Sequence, residues 1–559
     1  MKYLYWGLGL AMLAGAQPAL AKKDPPARHF FECDGFQAPR KKDDGLSVTS
    51  GWLGIGTTTK DAKRGSFQAG AGIDACDKAL ADPLLQPHFH LRRASLYQGK
   101  AIHLAARGKY DEALASFAQS DAVRSALSGA EQEAFDESVA LTNAMLRSYI
   151  LLEQFKTEEA MATLAELRDV RRYSPTVQAA FMLMGLQDVD DFDNYAASLR
   201  EQAILDPDIL PVVFWLHFVG NQVTGAAEYR DQFFFVEPSM RGNWRMTNAA
   251  LRELQTIIRK SDFGGASAYA LHADGKVEEA RAVFTELEDW LAELATEPKP
   301  KGRRKKPSRK AMKAYKRQLP FVERAQRTVQ GWRDATVLRD QAATMPMEAV
   351  GEMVNDTENL PRMAAIDLLL LPATTSDKDN PEAEEALAAI PELIKERIRK
   401  ASAVNVETLV RLLPQAETAP MRPLFENAGS ELIFGDASGF SKSYHKDEDH
   451  WTVRYGSDQS LRVVAEEMVV YGAARLAKEK GKDAFLVLAQ RSFPREITQT
   501  GYFSAGTYSA GFESQMRIAL IDSANPDPQY SASLWRLVMV DDVLAHFSDR
   551  YVATSAYRD

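Results

Sequence analysis

Residues 88–126 read HFHLRRASLYQGKAIHLAARGKYDEALASFAQSDAVRSA, and their pattern decides the fold class. Apolar side chains recur three or four positions apart in two runs, which is the spacing of an amphipathic helix. The runs are separated by Arg107-Gly108-Lys109, a break that allows a tight turn. The second run opens with Asp111 and Glu112, and acidic side chains stabilise the positively polarised start of a helix. The stretch therefore predicts a helical hairpin whose turn contains glycine.

This hairpin resembles the tetratricopeptide repeat (TPR), a helix-turn-helix unit that stacks on copies of itself. The TPR pattern has a small residue in helix A, glycine at the turn, and then tyrosine, alanine and an aromatic residue in helix B. Gly108, Tyr110, Ala113 and Phe117 match it. A second match is GKVEEA at residues 275–280. The resemblance implies a solenoid, because stacked hairpins bury apolar faces that one hairpin cannot.

Weaker copies lie between the two matches. Residues 148–167 form one of them, with Phe155 at the position where glycine is usual. Segments 174–206 and 211–238 have the form of degenerate hairpins that end at a proline. We therefore expect TPR-like helical repeats over residues 73–297, with ordinary helical packing without TPR geometry as the alternative.

The N-terminus has the three parts of a secretory signal. Lys2 supplies the positive start, residues 4–16 an apolar core, and Ala19-Leu20-Ala21 a small-x-small cleavage site. This apolar core is short for the roughly 30 Å of a bilayer, although a retained anchor is the alternative. We expect cleavage after residue 21 and an exported protein, periplasmic if the source is Gram-negative, with no transmembrane span after cleavage.

The chain has two cysteines, Cys33 and Cys76. An oxidising compartment allows them to pair, whereas the alternative is two buried free thiols. Residues 72–80, placed before Ala94, resemble exported TPR proteins of alphaproteobacteria. In those proteins a cysteine of the first helix commonly pairs with one near the mature N-terminus. The resemblance thus implies a disulfide between Cys33 and Cys76.

TPR geometry also implies a binding surface on the inner face formed by the A helices. In the first hairpin this face comprises Ser95, Gln98, Ile102 and Ala105, and in the hairpin around Phe155 it comprises Met145, Tyr149 and Leu152. We expect these side chains to form a groove that binds protein partners in the cell envelope.

The charge of the chain is unevenly distributed. The 559 residues carry 68 Lys and Arg against 77 Asp and Glu, a formal net charge of -9 that argues against nucleic-acid binding. Residues 299–317 nevertheless contain eleven cations and no acid. The candidate anion-binding side chains are Arg303, Arg304, Lys305, Lys306, Arg309 and Lys310. The tract is a solvated insertion, a binding site for an anionic partner such as lipid headgroups or lipopolysaccharide phosphate, or a segment packed on the protein's own acidic surface.

After Gly429 the periodicity changes. Residues 451–455 alternate as a strand, residues 461–480 have helical spacing, and residues 484–488 form a short apolar run typical of a buried strand. This order predicts a βαβ or split βαβ unit. Residues 470–485 resemble part of a small α+β domain of exported bacterial lipoproteins, a family of unassigned function, which implies fold and location only.

Two further strands are expected at Glu496–Tyr502 and Phe512–Ile521, and a last helix begins near Asp541. The fold class predicted for the whole chain is mainly α, a TPR-like helical-hairpin solenoid followed by a small α+β C-terminal domain. The predicted segments are a signal peptide (1–21), an irregular N-terminal segment (22–72), TPR-like repeats (73–297), a polybasic insertion (298–318), a helical extension or connector (319–430) and the α+β domain (431–559).

No motif for a nucleophile, a cofactor or a metal accompanies these elements. His445 and His450 flank three acidic residues, but their spacing matches no known zinc or calcium motif. We therefore expect an exported, non-catalytic scaffold or adaptor that needs no cofactor or metal. The alternatives are attachment to an anionic envelope surface through the polybasic tract, and a hydrolase with its site at the junction of the two domains, which a deep cleft with titratable groups would favour.

Overall fold

The computed structural model describes residues 27–46, 48–49, 57–58, 72–167, 170–185, 192–219, 222–234, 245–300, 306–357, 359–375, 405–414, 416, 439–446, 448–457, 462–501 and 504–551. The predicted signal peptide lies outside these residues. The chain divides into two compact units, residues 1–147 with 415–420, and residues 148–414 with 421–559. No helix among the described residues has the length and apolar character needed to cross a membrane.

The structure is mostly helical, as predicted, with a small antiparallel sheet near the C-terminus. In the first unit the helices are α1 (Arg28–Asp34), α2 (Ile73–Ala81), α3 (His90–Ala105), α4 (Tyr110–Ala122) and α5 (Ala130–Phe135), and α6 (Leu141–Glu153) contains the boundary. The second unit has α7 (Thr157–Leu167), α8 (Pro175–Gly185), α9 (Phe192–Ala203), α10 (Leu210–Val219), α11 (Val223–Ala226), α12 (Arg245–Ala273), α13 (Val277–Ala295), α14 (Arg309–Ala342), α15 (Met347–Asp356), α16 (Arg362–Thr375), α17 (Val406–Leu412), α18 (Arg462–Glu479) and α19 (Val540–Tyr551).

Three helical hairpins share one turn geometry. Gly108, Phe155 and Gly275 have φ values of 71°, 59° and 77°, and each turn lies where the sequence predicted it. The amide of the following lysine donates to a leucine carbonyl in each turn, for example Lys109 N to Leu104 O at 3.0 Å. Such a bond satisfies a carbonyl that the helix end leaves unpaired. Phe155 therefore adopts the left-handed turn that glycine adopts in the other two hairpins.

In segment 211–238, of which residues 222–234 after α10 are described, the second helix of the expected degenerate hairpin is short. After α10, helix α11 contains only four residues and is followed by a 3-10 segment over Ala227–Gln232. The apolar side chains of this segment still enter a core, because Val223, Ala226 and Tyr229 are buried there.

An aromatic core joins α10, α12 and α14. Phe214, Phe218, Tyr269 and Trp332 are all buried, and the rings of Phe218 and Trp332 lie 5.7 Å apart in an edge-to-face arrangement. The indole nitrogen of Trp332 donates to Asp262 at 2.8 Å, so the polar atom of the largest core side chain is satisfied.

The sheet comprises β3 (Gly439–His445), β4 (His450–Ser457), β5 (Ala484–Gly501), β6 (Ser504–Ile521) and β7 (Leu537–Met539), whereas a separate two-residue pair joins β1 (Val48–Thr49) to β2 (Thr57–Thr58). The five strands lie in the order β3-β4-β6-β5-β7 with every neighbouring pair antiparallel. Since β4 and β5 both run opposite to β6, they are parallel to each other, and α18 connects them. This arrangement is the split form of the predicted βαβ unit.

The two strands expected at 484–488 and 496–502 are one strand, β5. Register shifts after Val487 and Pro494 interrupt its pairing with β6 without ending it. Helix α18 covers one face of the sheet and buries Val464, Met468 and Ala473. Tyr173 and Leu205, from the turns after α7 and α9, belong to the same apolar cluster. The α+β segment therefore shares a core with the preceding helices.

Candidate functional site

The disulfide implied by the sequence is present between Cys33 and Cys76, and the chain holds no free cysteine. It ties α1 to α2, and both cysteines are completely buried. His103 of α3 lies behind this link, with its Nε2 3.0 Å from the carbonyl oxygen of Cys33. Burial lowers the pKa of His103, which favours the neutral ring. The disulfide thus holds α1 against α2, and His103 joins α3 to the same contact.

A buried ion pair extends this contact. The Asp34 carboxylate lies 3.0 Å from the guanidinium of Arg92 and accepts a hydrogen bond from the Ser95 hydroxyl at 2.8 Å. The side chain of Arg92 is completely buried between the rings of Phe30 and Phe36, whose centroids lie 5.5 and 5.4 Å from it. Guanidinium groups favour such aromatic faces, so α1 is held by charge, hydrogen bonding and ring contacts together.

These contacts occupy the expected groove of the first hairpin. Ser95, Gln98, Ile102 and Ala105 are between 2% and 4% exposed. The Gln98 amide donates to the Asn143 side chain at 2.8 Å. A Cβ atom on Gly99 would lie 2.6 Å from the Cys33 carbonyl oxygen, which shows how closely α1 approaches this helix.

The groove residues expected on α6 are similarly covered. Met145 is fully buried, Tyr149 is 9% exposed and Leu152 is half-buried. A partner that binds the inner face of α3 would have to displace the N-terminal segment first.

The polybasic tract presents a different surface. Arg303, Arg304 and Lys305 lie outside the described residues, whereas Lys306, Arg309 and Lys310 are exposed. The tract leads into α14, whose N-cap is Ser308, and the Ser308 hydroxyl accepts a hydrogen bond from the Ala311 amide at 3.1 Å. Lys313, Lys316 and Arg317 continue the exposed charge along the first turns of the helix.

Two inward contacts fix the direction of this charge. The Tyr315 hydroxyl donates to the carbonyl of Ala295 and the Gln318 amide to the carbonyl of Leu294, each at 2.9 Å. These bonds satisfy carbonyls at the end of α13 and turn that side of α14 inward. Within the part of the chain that the structure describes, no ion pair involves Lys306, Arg309, Lys310, Lys313, Lys316 or Arg317. The described cations therefore face solvent and do not pack on the protein's own acids.

The histidines that flank the acidic run have structural partners. His445 Nε2 lies 2.8 Å from the Thr452 hydroxyl, and His450 Nε2 lies 3.1 Å from the Tyr530 hydroxyl. Burial lowers the pKa of both rings, and Arg517 lowers it further. Among the described residues, no cluster of His, Cys, Asp and Glu has the arrangement of a metal site.

The junction between the helices and the sheet contains a second buried ionic network, which sequence patterns did not indicate. Arg171 contacts Glu467 at 2.6 Å, and their side chains are 1% and 0% exposed. The neighbouring Glu466 accepts hydrogen bonds from the hydroxyls of Ser174 at 2.7 Å and Thr176 at 2.5 Å. Because both glutamates lie on α18, the turn before α8 is bonded directly to the helix that covers the sheet.

Beside this network lies a cavity of about 650 Å³ lined by α7, α8, α9, β7 and α19. Its titratable side chains are Arg172, Tyr173, Glu201, Asp206 and Asp542. This is the position at which the hydrolase alternative places its site. The described lining includes no histidine or cysteine, so it offers no Ser–His or Cys–His pair for nucleophilic attack.

No family model matches the chain, and neither the curated proteins nor the solved structures include a significant match to it.

Proposed function

We propose that the protein is an exported, non-catalytic adaptor of the cell envelope that attaches to an anionic lipid surface through the start of α14. In this proposal the helices form a TPR-like solenoid, and the periplasm is its compartment. The observation that carries the proposal is the group of six exposed cations from Lys306 to Arg317. The filled inner face of α3 supports placing the attachment on α14.

The physical reason is electrostatic. The start of a helix is already positively polarised, so cations in its first turns repel both the helix dipole and one another. An anionic surface relieves that repulsion, and each lysine or arginine near such a surface contributes about 1 kcal/mol. The repulsion among these cations is therefore reduced more by the phosphates of an anionic bilayer than by water.

The test compares two pairs of cations on the same helix. Lys313→Ala/Arg317→Ala removes charge at the proposed surface, and Arg324→Ala/Arg327→Ala removes the same exposed charge further along α14. The nearest members of the two pairs, Arg317 and Arg324, are about 10 Å apart along the axis, beyond the Debye length of about 8 Å at physiological salt.

Binding is measured by co-sedimentation with phosphatidylglycerol vesicles, phosphatidylcholine vesicles and lipopolysaccharide-containing vesicles. We expect the first variant to bind anionic vesicles about 30-fold more weakly, since two charges contribute about 2 kcal/mol, and the second to bind like the wild type. An equal loss of affinity in both variants would refute attachment through the start of α14. Binding of the wild-type protein to phosphatidylcholine vesicles as tightly as to phosphatidylglycerol vesicles would refute it too.

A further inference from the structure

The junction cavity has the dimensions of a small-molecule site. Its volume of about 650 Å³ lies within the 300–1,000 Å³ typical of ligand pockets. Its walls come from two regions of the chain, the helices α7 to α9 and the segment β7–α19. Sites of this kind occur preferentially where two structural layers meet.

One part of the wall is apolar and adaptable. Met161, Leu164, Phe181, Met182, Leu537 and Met539 line it. Three of these six are methionines, whose flexible thioether side chains adjust to ligands of different shape. Met539 is 38% exposed, which leaves it open to contact. This wall fits an alkyl or aromatic body.

The charged part of the lining is mainly acidic. Glu201, Asp206 and Asp542 contribute three carboxyl groups, whereas Arg172 is the cation among the lining residues that the structure describes. The guanidinium of Arg172 lies 5.2 Å from the centroid of the Tyr173 ring. Burial, together with the charges of Asp208 and Glu466, raises the pKa of Asp206 to about 6, although Arg462 acts in the opposite direction. A cation beside Asp206 would stabilise its ionised carboxylate and so offset part of the free energy that burial costs it.

We propose that the junction cavity binds a small amphipathic cation, a primary amine whose apolar body lies on the methionine-lined wall and whose ammonium group contacts Asp206 and Asp542. The ammonium group donates hydrogen bonds to carboxylates, and such charge-assisted bonds are stronger than neutral ones. The apolar wall excludes small hydrophilic cations as good ligands, because they would leave it in contact with water.

The test uses three probes of equal chain length, namely decylamine, decanol and decanoate, in calorimetric titrations of the full chain at pH 7.5. We expect decylamine to bind at one saturable site at least tenfold more tightly than decanol and decanoate. Equal affinity for the three probes would overturn the proposal, since the acidic lining would then contribute nothing.

Adjacent residues supply a matched control. Asp541 and Asp542 both lie in the first turn of α19, but only Asp542 lines the cavity, and Asp541 lies 3.5 Å from Lys478. We expect Asp542→Asn to weaken decylamine binding about tenfold, with decanol binding unchanged and Asp541→Asn binding like the wild type. Equal weakening in both variants would place the amine elsewhere.

A blocking variant completes the test. Ala165 lies exposed on the cavity wall, so Ala165→Trp fills space without removing a core side chain. We expect it to abolish decylamine binding with an unchanged circular dichroism spectrum. Unaltered decylamine binding by this folded variant would overturn the proposal.

Discussion

Replacing Arg171 with methionine would leave the Glu467 carboxylate buried without its guanidinium partner. The two groups are 2.6 Å apart, and less than 2% of either side chain is exposed. Water therefore cannot replace the lost partner without opening the contact between the turn before α8 and helix α18. Removing one partner of a buried ion pair typically costs about 3–5 kcal/mol, because the remaining charge is desolvated and unpaired.

That cost is large relative to the stability of a folded domain, which is typically about 5–15 kcal/mol. For a unit of this size it corresponds to a fall in melting temperature of about 4–6 °C. We expect Arg171→Met and Glu467→Met each to lose about 3–5 kcal/mol of unfolding free energy. The double variant should be more stable than either single variant, since two methionines pack together and neither leaves an ionic partner buried alone.

Urea unfolding of the wild type, both single variants and the double variant measures the coupling directly. The control is the exposed pair of Lys442 on β3 and Glu479 on α18, which has the same 2.6 Å separation. Glu479→Met should cost less than about 1 kcal/mol, because solvent screens that pair. Single Arg171 or Glu467 variants that are as stable as the control would show that the buried pair does not hold the junction.

Three other predictions concern stability. Cys33→Ser/Cys76→Ser should lose about 4 kcal/mol in urea unfolding, because the bond closes a loop with a sequence separation of 43; an unchanged midpoint would contradict this. Phe155→Gly should raise the unfolding free energy by about 1 kcal/mol, because Phe155 is 95% exposed and its backbone is in the left-handed conformation. Gly275→Ala should lower it by a similar amount, and changes of opposite sign would contradict a strained turn. Burial raises the pKa of Asp44 from 3.8 to about 6, so the folded state holds a proton that the unfolded state releases, and stability falls as pH rises from about 4 to 6. Asp44→Asn should remove this fall and raise the unfolding free energy by up to about 3 kcal/mol at pH 7. Thermal unfolding of both proteins between pH 4 and pH 7 measures the difference.

The helical hairpins could be predicted because their determinants are local. A glycine or its substitute, a following lysine and an acidic start of the next helix all lie within a few residues at Gly108 and Gly275. The turn at Phe155 forms with the same backbone hydrogen bonds although its side chain disfavours the left-handed conformation. The order of strand, helix and strand near the C-terminus could be predicted for the same reason. The length of β5 could not, because it depends on pairing with β6.

The filled inner face of α3 could not be predicted by pattern. Helix α1 has only seven residues, too few for a convincing periodicity, and its contacts join residues about sixty positions apart. The acid that pairs with Arg92 lies in a segment expected to be irregular. Arg92 was a usable signal, because an arginine on the helix face expected to turn inward requires a partner elsewhere in the chain.

The turn before α8 links the buried network to the cavity. Arg171, Ser174 and Thr176 bond to α18, while the intervening Arg172 and Tyr173 line the cavity. The backbone geometry that satisfies Glu466 and Glu467 therefore also positions one wall of the proposed amine site. A ligand that binds only this arrangement stabilises it by mass action. A change that destabilises the arrangement must therefore reduce the binding free energy of the ligand by the same amount. Arg171→Met should thus reduce decylamine affinity although Arg171 does not line the cavity, and the Arg171→Met/Glu467→Met variant should recover part of it. Full wild-type affinity in Arg171→Met would show that the cavity wall is independent of the buried ion pair.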